Sequence, residues 1–331
     1  MQHQPQLVDL GLARLKIFEY FCLPSIVKQT SQEFIWIIRT DPDLDQRVKE
    51  PLLDLLKGHP NYLLVASNEN PEGFRHALAI EDITIDSLWS GDLHLLQQLH
   101  DAAQSRIVLE TRLDGDDGLH TSFVEYIQAK AIEHIIDPFS WTIWCLFNHM
   151  EWQYSSPFQS TADVSAGFWV GVRSACCVTP GLTMVYGKEV NRDDLPRGTH
   201  QNLHKVLATC NNDVDDHCLR RFRELMPGAI RARTPTSAGM ANVIIGNHGK
   251  RDVYKKAEFQ ANVQNEIWKG VEEVFFVSME KAKGVRNYIR HNLKLIAADN
   301  LKGQCTKGHS CKSTSKDILK GLMADVLLAR E

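Results

Sequence analysis

The sequence of 331 residues has no apolar run long enough to cross a bilayer. Its opening, Met1-Gln2-His3-Gln4-Pro5, has neither the basic region nor the apolar core of a signal peptide. As written the chain is therefore expected to be cytoplasmic; a Golgi or secretory lumen follows if an N-terminal anchor is missing. Neither charge sign dominates. Lys and Arg number 37 against 41 Asp and Glu, a net charge of -4, so no global field points to nucleic acid as a partner. Internal repeats and low-complexity tracts are lacking. So is a glycine-rich, basic phosphate loop near the first predicted strand, which counts against a nucleotidyltransferase.

Cysteine is sparse, with eight in the chain. Cys22, Cys145, Cys176 and Cys177 sit in apolar surroundings and read as small core residues. Cys210 with Cys218, and Cys305 with Cys311, are close pairs in polar loops that would close disulfides in an oxidising compartment. Cys305, His309 and Cys311 are irregularly spaced and lack a fourth ligand for zinc.

What the sequence does have is one informative stretch, Ser105 to His120. An apolar, β-prone run, Ile107-Val-Leu-Glu-Thr-Arg-Leu113, breaks into Asp114-Gly-Asp-Asp-Gly118. That pattern predicts a strand running into a turn. It puts three carboxylates at the carboxyl end of a strand, where open α/β sheets bind ligands. Unpartnered, Asp114, Asp116 and Asp117 would raise one another's pKa. A hard divalent cation, Mn²⁺ or Mg²⁺, relieves the conflict and leaves coordination sites for phosphate and water. Gly115 and Gly118 permit the sharp turn. The competing reading is a solvated acidic turn. A calcium loop fits poorly: Asp114, Asp116 and Glu125 match its first, third and twelfth places, but Gly118 stands where an oxygen ligand belongs and Leu119 replaces the required glycine.

Periodicity along the chain predicts helix over 7–29, interrupted at Pro24, then a strand over 34–40, helix over 45–57 and a strand over 62–66. A polar loop over 67–85, a helix over about 90–103, the acidic strand and a helix over 119–135 follow. Alternating β and α predict a mostly parallel sheet with crossover helices. The region 138–190 is rich in aromatics. Strands at 141–147, 149–154 and 168–172 read there as an antiparallel extension, with 149–154 beside 141–147. Residues 199–209 and 217–226 read as short helices, 231–240 as a basic, hydroxyl-rich segment, and about 252 onward as helical, with polar loops near 300–315.

With those residues laid out, Cys22-Leu-Pro-Ser-Ile-Val-Lys-Gln-Thr30 followed by Phe34-Ile-Trp-Ile-Ile-Arg-Thr40 resembles the opening of GT-A glycosyltransferases. Arg112-Leu-Asp-Gly-Asp-Asp117 resembles their Asp-x-Asp metal motif, and more narrowly the signature of a rhamnosyltransferase family. The likeness is firm over 10–135 and weaker over 138–245. It implies an α/β fold of GT-A, Rossmann-like type whose usual first strand this sequence lacks. The implied GT-A-like domain spans 1–250, with a nucleotide-sugar half to about 135 and an acceptor half beyond, before a helical extension over 251–331. It implies a metal-dependent transfer of a sugar, rhamnose in the family's name, from a nucleotide-diphosphate sugar to a glycan or small-molecule hydroxyl. A non-catalytic carbohydrate-binding or scaffold protein that keeps the fold is the alternative.

Roles then fall to particular residues. Asp116 is expected to bind the ion directly, Asp114 through water or on the ribose, and Asp117 as a third ligand or as the residue that orients the turn. His200 and His204 share a helical face and are candidates to complete the metal shell; Lys205 beside them is a candidate for the donor phosphates. Arg231 and Arg233 have forked donors that suit phosphate, and with Thr234, Thr236, Ser237 and Gly239 would form a lid. An inverting enzyme needs a base. Glu151, in an aromatic setting expected to raise its pKa, is one candidate, and Asp193 and Asp194 are the others. Trp141, Trp144, Trp152, Tyr154 and Trp169 are expected to be mostly core, with one or two at an acceptor cleft.

Overall fold

A computed structural model describes residues 7–67, 83–103, 105–133, 141–146, 148–154, 168–172, 180–187, 189–190, 195, 219–234, 236 and 261–306. The first helix forms as predicted but in three registers: α1 (Val8–Ile17), a π-helical segment (Phe18–Cys22) and α2 (Leu23–Val27). Pro24 accounts for the change. It has no N–H, and its ring would strike the carbonyl four residues back, so the preceding turn widens and the Leu23 N–H bonds to Phe18 O instead.

This helix carries apolar residues on two faces because it is buried on two sides. One side (Leu10, Ala13, Ile17, Phe21) packs on the C-terminal helices, and the other (Leu15, Phe18, Cys22, Ile26) on the N-terminal half. Leu7, at its N-cap, supplies no capping side chain. Asp299 supplies one from outside: its Oδ2 accepts at 3.2 Å from the N–H of Leu10, 289 residues earlier.

The strands are β1 (Trp36–Thr40), β2 (Tyr62–Ala66), β3 (Leu88–Ser90), β4 (Val108–Arg112), β5 (Asp117–Leu119), β6 (Trp141–Leu146), β7 (Asn148–Gln153), β8 (Phe168–Val172), β9 (Leu182–Tyr186), β10 (Leu219–Phe222) and β11 (Ala229–Arg233). The remaining described helices are α3 (Gln46–Leu56), α4 (Leu93–Ala103), α5 (Phe123–Glu133), α6 (Ala261–Phe275) and α7 (Met279–Thr306). The strands form three sheets, in the orders β1-β2-β3, β10-β6-β9-β4 and β5-β11-β7-β8. Parallel ladders join β1 to β2, β6 to β10 and β7 to β11. The ladders β2·β3, β4·β9, β6·β9, β7·β8 and β5·β11 are antiparallel.

The chain is thus a mixed α/β protein, but among the described residues antiparallel pairing outweighs parallel, where a mostly parallel sheet was expected. Three local predictions change with it. Residues 148–153 do not lie beside 141–146. A single residue, Phe147, separates them and no glycine or proline is present to reverse the chain, so β6 and β7 run on into different sheets. Residues 219–222, predicted helical, form β10 on β6. The basic segment at 231 is the end of a central strand, not the start of a loop. Helices α6 and α7 fall in the predicted helical C-terminal region, but α7 continues through 300–306, where a polar loop was expected. Cys145 and Cys22 are buried core residues, as expected; Cys145 is also disulfide-bonded, and Cys22 is free.

Candidate functional site

The acidic stretch lies between two strands. After β4 the chain turns, closed by the Asp117 N–H on Asp114 O at 3.0 Å, and enters β5 at Asp117. The carboxylate oxygens of Asp114, Asp116 and Asp117 come within 4.8 Å of one another. Asp114 is exposed, Asp116 half-buried and Asp117 buried, at 2 % exposure. Asp117 Oδ2 has no hydrogen-bond partner among the described residues. Burial pushes the Asp117 carboxyl well above the usual carboxylate range; Asp116 and Asp114 add to the shift, and Arg231 and Arg233 oppose it.

The helix motif that marked the N-terminal half fixes this turn. Ser25 Oγ donates to Cys22 O at 2.8 Å and accepts from Leu119 N at 3.1 Å, tying β5 to α2. The Gln29 carboxamide donates to Ser25 O and His120 O and accepts from Val124 N. Thr30 Oγ1 donates to Glu125 at 2.6 Å. Gly118 is required by close approach: a Cβ there would stand 2.8 Å from Phe21 O and 2.8 Å from Ile230 Cγ2. Gly118→Ala should therefore cost about 2–4 kcal/mol, because a backbone carbonyl cannot yield as a side chain can. A urea melt would check this, and an unchanged midpoint would contradict the packing described.

The opposite side of the site comes from the third sheet. Register aligns Asp117, Arg231, Glu151 and Trp169 in one row across β5, β11, β7 and β8. Arg231 Nε lies 3.7 Å from Asp117 Oδ2 without a hydrogen bond, and Nη1 lies 4.0 Å from Glu151 Oε1. Arg233 Nη2 donates to Glu151 Oε1 at 2.5 Å, and His149 Nε2 is 3.4 Å from the same oxygen. Burial pulls the Glu151 pKa up, as the sequence suggested. The His149 hydrogen bond and the Arg233 charge outweigh it, so the net shift is far downward, opposite to the expectation.

Of the predicted residues, Asp114, Asp116, Asp117, Arg231, Arg233 and Glu151 come together. Thr234 and Thr236 are buried, and their hydroxyls bond to each other at 2.8 Å. Asp193, Asp194, His200, His204, Lys205 and Ser237 lie outside the described residues. Trp144, Trp152 and Tyr154 are core, as expected; Trp152 packs on Phe21 with ring centroids 4.5 Å apart.

Sequence reasoning did not assign functional roles to Arg14, whose Nε and Nη2 both donate to Thr236 O, or to His149. Arg14 lies in an otherwise ordinary helix and could be found only through the fold. His149, two residues before Glu151 on a strand, falls on the same face, and that spacing was a readable signal.

The family model for "Putative rhamnosyl transferase" matches residues 12–137. Over that segment the chain is similar to a glycosyltransferase family. The match takes in α1 from Leu12, the Ser25 and Gln29 tether and the whole acidic turn. It ends before β6, so the strands carrying Glu151, Arg231 and Arg233 lie beyond it. No curated protein matches the chain.

Proposed function

We propose that the protein is a metal-dependent glycosyltransferase of GT-A type that moves a sugar from a nucleotide-diphosphate donor to a hydroxyl acceptor. The observation that carries this reading is the gathering of three carboxylates within 4.8 Å, with one buried oxygen unpaired, beside the guanidinium of Arg231. An all-oxygen donor set of that size suits a hard divalent ion such as Mn²⁺ or Mg²⁺. When bound, the ion neutralises charge on the leaving diphosphate.

Asp116 and Asp114 are the proposed ligands, and Asp117 closes the set from its buried position. Arg231 is the better phosphate residue of the two arginines. Its Nε has no hydrogen bond among the described residues, whereas Arg233 is committed to Glu151. Glu151 holds both guanidiniums in place. Kept ionised by His149 and Arg233, it is a weak base and is proposed to position and not to take a proton. If the transfer inverts configuration, Asp193 or Asp194 is the proposed base. His200, His204, Lys205 and Ser237 remain proposed donor-side residues, and Thr234, buried and bonded to Thr236, is proposed to anchor the chain that leads to Ser237. Rhamnose is the proposed sugar on the family's name alone. A disulfide at Cys145 suits an oxidising compartment.

The test is release of UDP or dTDP from a panel of nucleotide sugars with and without Mn²⁺. Manganese-dependent release from at least one donor is expected. Thermal stabilisation by free sugars with no metal effect would overturn the reading in favour of a carbohydrate-binding protein.

A further inference from the structure

The third sheet has two unlike faces, because residues two apart in a strand point the same way. Met150, Trp152, Ile230 and Ala232 join the apolar core that α6 and α7 cover. Glu151, Arg231 and Arg233 stand on the other side, in the charged cluster. Arg286 of α7 lies on the apolar side. It is 4 % exposed, and its helical neighbours Ala282, Val285 and Ile289 belong to that core. A guanidinium is tolerated in such a place only when its N–H groups are bonded. Its Nε donates to Tyr154 O at 2.8 Å. Tyr154 is the first residue beyond β7 and is itself buried, so its carbonyl has left the strand and needs a donor from elsewhere. The Tyr154 N–H donates to Arg233 O at 3.0 Å and carries the pairing of β7 with β11 past its end. Arg233 Nη2 in turn bonds Glu151, and Arg231 stands between Glu151 and Asp117. A line of contacts thus runs from α7 through the sheet to the cations beside the acidic turn. The turn itself is held from the far side, by Ser25 and Gln29.

We infer that Arg286 is a positioning residue of the site: it fixes the outlet of β7 and, through Tyr154, the placing of Glu151, Arg233 and Arg231 against the acidic turn. The inference rests on the reading of Arg231 as the residue that takes the donor's phosphates. It makes α7, which lies beyond the segment matched to the family, a working part of the site. The carboxylates are set by the N-terminal half and the cations by a helix near the other end of the chain. The two sides of the site should therefore fail separately. Loosening the end of β7 misplaces the phosphate-facing cations, while the carboxylates keep their own tether.

The experiment is calorimetry on the full chain, first with Mn²⁺ alone and then with UDP at saturating Mn²⁺. R286M fills the same apolar space and cannot donate to Tyr154 O. Its Kd for Mn²⁺ should stay within about twofold of the wild type. Its Kd for UDP should rise about tenfold. R286K keeps a donor and should recover most of the UDP affinity. A merely structural residue would lower the melting temperature of R286M without separating the two affinities. Folded R286M with both affinities at the wild-type value, or with both lost equally, would overturn the inference. Hydrogen exchange in the wild type covers a failure of R286M to fold. Coupling is reciprocal, so UDP with Mn²⁺ should slow exchange of the Tyr154 amide about fivefold. An unchanged rate there, with slowed exchange in the acidic turn, would also overturn it. A wild type that binds Mn²⁺ but not UDP would overturn the donor reading, and the inference with it.

Discussion

Asp116→Ala should abolish Mn²⁺-dependent binding of a nucleotide diphosphate, with Kd rising more than about a hundredfold, since even residues one shell out from a metal cost up to that much. The fold should survive. Asp116 holds β11 through its backbone oxygen, which accepts from Ala232 N, and an alanine keeps that bond. Its side chain is one of the charges that push up the pKa of buried Asp117, and its charge also acts favourably on Arg14 and Arg233. Thermal stability without metal should therefore stay within about 1 kcal/mol of the wild type, while the stabilisation that Mn²⁺ and UDP give the wild type disappears. Calorimetry with Mn²⁺ and UDP, paired with melts in EDTA, measures both. Metal-dependent nucleotide binding retained in this variant would remove Asp116 from the ligand set.

Glu151→Gln carries the second large effect, and it falls on stability. The carboxylate accepts from Arg233 at 2.5 Å and has Arg231 at 4.0 Å, and all three side chains are mostly buried. Taking away one partner of a buried pair leaves its cation uncompensated, at a cost of about 3–5 kcal/mol. The pH dependence follows from the same contacts. The folded-state pKa of Glu151 is depressed, so its contribution is fully present above the unfolded pKa, about 4.3, and is lost as pH falls below it towards the folded value. Melts from pH 6 down to about pH 3 should show the wild type losing stability over the acid part of that range, and Glu151→Gln losing less. Equal slopes would mean that the carboxylate is not held ionised by its neighbours. A loss of metal affinity larger than the loss of stability would give Glu151 a more direct role than the positioning one proposed.

The parts of the site that were legible in the sequence are those set by local rules. A β-prone run breaking into Asp-Gly-Asp-Asp-Gly announced a strand, a turn and a crowd of carboxylates, and Asp114, Asp116 and Asp117 do gather. Pro24 marked the change of helical register. What misled was the step from element to neighbour. Alternating β and α suggested parallel crossovers. Yet β4 finds β9 antiparallel, and β1 and β2 stay in a separate sheet, because pairing depends on where distant strands end up and not on the pattern within each one. The expected pKa of Glu151 failed in the same way. Its aromatic setting was readable from Trp152, but the His149 hydrogen bond and Arg233, from a strand some eighty residues later, decided the sign. Short strands were the hardest to see. Leu219–Phe222 carries two consecutive arginines, and only its place on β6 makes it a strand.

The cap that Asp299 places on the first turn of α1 joins the two ends of the described chain. At ordinary rates of synthesis a ribosome needs on the order of tens of seconds to travel from residue 27 to residue 299. For most of that interval the nascent chain holds Leu10, Ala13, Ile17 and Phe21 without the α6 and α7 surfaces that later cover them. The aspartates are made early, but the framework behind them closes last. Translation stalled or terminated well ahead of residue 299 would leave a sticky, incomplete chain for chaperones and proteases.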